Sequence, residues 1–148
     1  MKSVIVILVF ALVSCDVTTL EKKIAIKARE CEVSCTISLK EITDFKWDKV
    51  YISDIPSTLQ EINEAIGVEY SYYEEYTRPI IFFNKGKIVY HENNPSNIEG
   101  VISDQVIFGN ATDTTKFRVY SVEEAVFKVR KRKSNSKDYY ELIQLKVK

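Results

Sequence analysis

The chain has 148 residues, with 21 Lys plus Arg against 21 Asp plus Glu, so its formal net charge at neutral pH is zero. That balance lacks the cationic excess of a general nucleic-acid binder, and 45% hydrophobic with 11% aromatic residues is too apolar for a disordered chain. The length suits one domain with its own core, and four glycines and three prolines leave little room for a flexible linker.

The chain opens with Lys2, an unbroken apolar run from Val4 to Val13, then Ser14, Cys15 and Asp16. A basic start, an apolar run of about ten residues and a small residue at its end are the parts of a secretory signal, too short to span a bilayer. Leu12-Val13-Ser14-Cys15 resembles the lipobox of bacterial lipoproteins. The resemblance implies that residues 1–14 form a signal helix that is removed, that Cys15 becomes a lipidated, palmitate-bearing first residue, and that the mature chain is anchored at the cell membrane, facing the periplasm or the exterior. Two or more acyl chains make such an anchor firm, because each buried methylene contributes about 0.8 kcal/mol. Asp16 is similar to the residue that retains some Gram-negative lipoproteins in the inner membrane.

Residues 15–23 read as a lipidated polar tether, leaving 24–148 as one domain. Ile24, Ile26 and Ala28 alternate with Lys23, Lys27 and Arg29, which predicts a half-buried strand. Cys31 and Cys35 come next, in an envelope compartment where disulfides form. On a strand their Cα atoms would stand about 13 Å apart, beyond the reach of a bridge, whereas a turn would permit one, so a local disulfide and two free thiols both stay open. Redox or metal chemistry is disfavoured, since His91 is the one histidine and lies far away. Residues 35–39 alternate again, and Phe45 to Ile52 reads as a strand with a bulge near Asp48. The segment from Ile42 to Ile52 is similar to stretches of small bacterial envelope proteins, a likeness that implies no activity.

A helix over about residues 57–66 is the best-punctuated element. Pro56 precedes it, Ser57 and Gln60 offer a capping box, Leu59, Ile62, Ala65 and Ile66 recur at helical spacing, and Gly67 is placed to end it. Ile80 to Phe83, a turn at Asn84-Lys85-Gly86-Lys87, and Ile88 to His91 predict a hairpin. Glu92 to Ser96 reads as a loop, Val101 to Phe108 and Phe117 to Tyr120 as strands, and Val122 to Lys133 pairs with Tyr139 to Lys148 across a Ser-Asn-Ser-Lys turn. The expectation is an α+β fold: an antiparallel sheet with one principal helix laid on one face.

Three groups of residues are candidates for function. Trp47, with Tyr70, Tyr72, Tyr73 and Tyr76 among glutamates, is an aromatic and charged mix suited to gripping a protein, although Phe45 and Trp47 serve equally as core. Lys128, Arg130, Lys131, Arg132 and Lys133 form a basic arm that suits anionic headgroups, or simply a solvated hairpin protected from aggregation. His91 beside Glu92 is the one distinctive catalytic candidate, and no hydrolase or phosphate-loop motif accompanies it, so no catalytic residue, cofactor or metal is assigned. The expectation is a membrane-anchored lipoprotein acting as a small protein-binding or inhibitory module of the immunity or exclusion type. Its partner would be an envelope or incoming protein, with no nucleic acid. An accessory subunit of an envelope complex is the alternative, and a small hydrolase a more distant one.

Overall fold

Two hairpins with two-residue turns set the architecture. In the computed structural model, which describes residues 18–32, 35–109 and 115–145, strand β3 (Thr77–Asn84) returns as β4 (Lys87–Pro95) through Lys85 and Gly86. β7 (Val126–Ser134) returns as β8 (Lys137–Gln144) through Asn135 and Ser136. All four turn residues have positive φ, the conformation whose twist matches that of the flanking strands. The signal segment, Cys15 and Asp16 lie outside the described residues.

Four shorter strands complete the fold: β1 (Thr36–Ser38), β2 (Lys49–Ser53), β5 (Val106–Phe108) and β6 (Phe117–Ser121). The fold is α+β, but its strands form two four-stranded sheets in place of one, in the orders β1-β7-β8-β5 and β4-β3-β2-β6. All pairings are antiparallel except β5 with β8. Alternation in β2 and β3 sends Val50, Ile52, Ile80 and Phe82 into a core shared with Phe127, Val129, Tyr140 and Leu142 of the other sheet. Tyr51, Ile81 and Phe83 point the other way and meet the helix α3 (Leu59–Ile66) through Ile62 and Ile66. β3 is therefore buried on both faces and reads as a continuous apolar run.

The segment expected as a strand at 24–29 is instead a helix, α1 (Leu20–Arg29), longer than α3 and starting inside the expected tether. Leu20, Ile24, Ala25 and Ala28 recur at helical spacing and are buried in the shared core, each large one contributing about 1.5–3 kcal/mol. The alternation of Ile24, Ile26 and Ala28 was coincidental, because Ile26 faces outward. Thr19 caps α1, its hydroxyl accepting the Lys22 N–H. A single-turn helix, α2 (Leu39–Ile42), links β1 to the approach to β2.

Other boundaries shift for local reasons. The α3 capping box is Thr58 with Glu61, while Ser57 is buried and bonded to Ser53 at 3.2 Å. The pairing irregularity falls at Phe82/Phe83 opposite Val89, not near Asp48. Asp48 precedes β2 and holds the β3–β4 turn, its carboxylate accepting the Lys85 N–H at 2.6 Å. β4 continues through Asn94, where a loop was expected. Cys31 and Cys35 are joined by a disulfide, with Cα atoms 5.7 Å apart, at the exit from α1.

Candidate functional site

β4 builds two different surfaces from one stretch of chain. Its register pairs Asn94 with Arg78, Glu92 with Ile80 and Tyr90 with Phe82, so these side chains point into the space between the sheets. His91 and Asn93 point toward α3 and the tyrosine segment.

On the inner side the apolar face turns polar exactly where α1 begins its first turn. The Glu92 carboxylate accepts the Leu20 and Glu21 N–H groups at 2.7 and 3.0 Å, the Tyr90 hydroxyl at 2.7 Å and the Asn94 amide at 2.8 Å. A carboxylate there answers both the free N–H groups and the positive end of the helix dipole. Arg78 donates to both Glu21 oxygens at 2.9 and 3.1 Å and to the carbonyls of Pro95 and Val106, and Glu21 also accepts the Val106 N–H. Burial pushes the Glu21 carboxyl upward against the pull of Arg78. Burial and the bond to Glu92 raise the Tyr90 hydroxyl. A cleft of about 540 Å³ opens beside this cluster, walled by Ala25 and Ile26 of α1 and by residues 102–105, with the Arg29–Asp104 pair across its end. Among the described residues no buried side-chain N or O lacks a hydrogen-bond partner. The cluster's bonds are thus spent joining α1 to both sheets. Glu21, Arg78 and Asn94 are not among the residues expected at a site, and Glu92 figures there only as the neighbour of His91; the signal was that Arg78, Glu92 and Asn94 share the strand parity of Ile80, Phe82 and Tyr90.

On the outer side Tyr70 is buried at 1% exposure, and its hydroxyl donates to Asn93 at 2.9 Å. Burial lifts that hydroxyl to about 12. The Tyr70 N–H donates to the Asn63 side chain of α3 at 2.8 Å, and the Asn93 amide donates to the Tyr72 carbonyl at 2.6 Å. The Tyr72 ring packs on His91 with centroids 3.7 Å apart. His91 is half-buried, and burial lowers its pKa. It supports the tyrosine segment, while Glu92 next to it in sequence serves the opposite face. Thr77 holds the far end by donating to the Glu74 carbonyl. Tyr72 and Tyr76 are 51% and 75% exposed, and Glu69, Glu74 and Glu75 are exposed with them. Tyr73 and Tyr76 line one side of a groove whose other side is the start of α3 with Lys116, which pairs with Glu61.

Two of the expected binding residues are therefore core. Trp47 is 7% exposed, packs edge-on to Phe82 at 4.9 Å and donates its indole N–H to Thr43 at 2.9 Å. Tyr70 is the buried post beneath the exposed tyrosines. The basic arm is divided by strand alternation. Lys128, Arg130 and Arg132 face away from the shared core, whereas Lys131 and Lys133 share the side of Phe127 and Val129. Arg132 pairs with Glu141 at 3.0 Å and Lys131 with Asp138 at 3.4 Å.

Among the described residues no group of three His, Cys, Asp or Glu side chains is placed to hold a metal ion, and no helix is long and apolar enough to cross a membrane. Neither a family model, nor a curated protein, nor a solved structure matches the chain.

Proposed function

We propose that the chain is a lipid-anchored envelope protein that works by binding another protein, as an inhibitory, immunity or exclusion module. The tyrosine segment supports the protein-binding part of this reading. Tyr73 and Tyr76 line a groove, and Tyr72 stands exposed against His91, on a loop tied at both ends to Asn63, Asn93 and Thr77. Tyrosines supply large contact area with a polar tip at low entropy cost, and a loop already held in shape loses little more on binding. The glutamates among them favour a partner with a basic surface. The lipobox-like segment supports the anchoring, which would concentrate the module at the membrane where its target acts.

The test is crosslinking in cells of the full tagged chain, comparing wild type, Tyr72→Ala with Tyr76→Ala, and Cys15→Ala. A defined partner captured by wild type, lost in the tyrosine variant and weakened in the Cys15 variant supports the reading. Capture unaffected by the tyrosine change refutes this binding face. A partner present in every growth condition would favour a resident subunit over a defensive binder.

A further inference from the structure

The exposed face of α1 is a basic stripe placed where the chain enters the domain. At 3.6 residues per turn, Arg29, Lys22, Ile26, Glu30, Lys23 and Lys27 follow one another around a single arc, opposite the buried arc of Leu20, Ile24 and Ala28. Arg29 is paired with Asp104, and among the described residues no ion pair is recorded for Lys22, Lys23 or Lys27. Ile26, in the middle of the arc, is 44% exposed. Lys22 and Lys23 stand in the first turn, where the helix dipole disfavours cations, so helix stability does not explain them.

We propose that this face of α1 rests on a bilayer containing anionic phospholipid, with Ile26 directed at the headgroups; the proposal rests on the reading of Cys15 as a lipid anchor. Leu20 follows Cys15 by five residues, which span at most about 18 Å when fully extended. An anchored chain therefore holds the first turn of α1 close to the headgroups, where each exposed cation is attracted to an anionic leaflet. The hairpin cations Lys128 and Arg130 do not serve the same plane, because they leave their sheet on the side away from α1.

The test uses the full chain, purified in detergent and reconstituted into vesicles of phosphatidylcholine alone or of about three parts phosphatidylcholine to one part phosphatidylglycerol. Ile26 is replaced by a genetically encoded fluorescent residue, with Leu59 of α3 as the control position, and quenching by a headgroup-linked nitroxide is read. Quenching at position 26 is expected to rise about twofold with phosphatidylglycerol and to fall back in about 1 M salt, where the screening length is about 3 Å. The rise should vanish in Lys22→Gln/Lys23→Gln/Lys27→Gln, a change that preserves helix propensity, and position 59 should not respond. A response that is flat, that survives loss of the lysines or that is equal at both positions overturns the proposal, as does crosslinking of position 26 to an acidic protein in cells. The mass of the N-terminal peptide reads the anchor separately. A lipid adduct on Cys15 with a flat response refutes only the helix face; a lysine-dependent response with unmodified Cys15 refutes only the anchor.

Discussion

Asp54 carries a largely buried carboxyl whose protonation shifts the balance between folded and unfolded chain. It follows β2, accepts the Phe108 N–H of β5 at 2.8 Å and faces Arg118 of β6 at 3.4 Å, so one carboxylate ties together strands of both sheets. Gly109 makes this approach possible: at φ 120° it carries no Cβ, which would stand 2.8 Å from the Arg118 guanidinium. Burial outweighs the Phe108 hydrogen bond and the Arg118 charge and raises Asp54 from 3.8 to about 6. A carboxyl raised on folding binds its proton more tightly in the folded state. Its contribution is complete below the unfolded value and is lost as pH rises through about 6. Urea unfolding should therefore show wild type losing stability relative to Asp54→Asn between about pH 4 and 7, on the order of 3 kcal/mol, with a constant difference above that range. Comparison with the variant is needed because Glu21, also raised by burial, gives wild type a slope of the same sign.

At the scale of elements, α3 shows how a local rule can find a helix and misplace its start. Ser57 with Gln60 and Thr58 with Glu61 satisfy the same capping pattern one residue apart. Ser57 is withdrawn into the core by Ser53 and the Ile55 carbonyl, leaving Thr58 to accept the Glu61 N–H while Glu61 answers the Thr58 N–H. Lys116 and the Thr58 N–H hold the Glu61 carboxyl down at about 2. Thr58→Ala should cost about 1 kcal/mol in the urea midpoint, while Ser57→Ala, whose hydroxyl makes no cap, should leave the helix end intact by amide exchange. α1 illustrates a different ambiguity. Within the short window from residue 23 to 29, Ile24, Ile26 and Ala28 fit period two. Extending the window to Leu20 brings in the helical set of Leu20, Ile24, Ala25 and Ala28 and the capping Thr19.

For the whole molecule, the joint between α1 and the two sheets is the feature that makes one body of the parts. Glu21 comes from α1, Arg78 from β3 and the Val106 backbone from β5, and their bonds lie at 2.8–3.1 Å in a buried setting. Removing one partner of a buried pair leaves the other charge without compensation, so Arg78→Ala should destabilise the fold by about 3–5 kcal/mol. Adding Glu21→Gln should recover part of that loss because it removes the orphaned charge. Trp47, the only tryptophan, is buried against Phe82 and reports the transition through its emission.

The parts of this protein legible in its sequence are those specified by neighbours along the chain. The β3–β4 and β7–β8 hairpins, the body of α3 and its left-handed Gly67 follow from turn chemistry and from periodicity over a few residues. What required the tertiary structure was every choice settled across the chain. These include the division of strands between two sheets, the parallel β5–β8 pair, the burial of Trp47 and Tyr70, and the cluster in which Glu92 caps a helix more than seventy positions away. Sequence pattern states which side chains can share a face; only packing decides what that face meets, because a buried polar group is stable only where distant parts of the chain supply its partners.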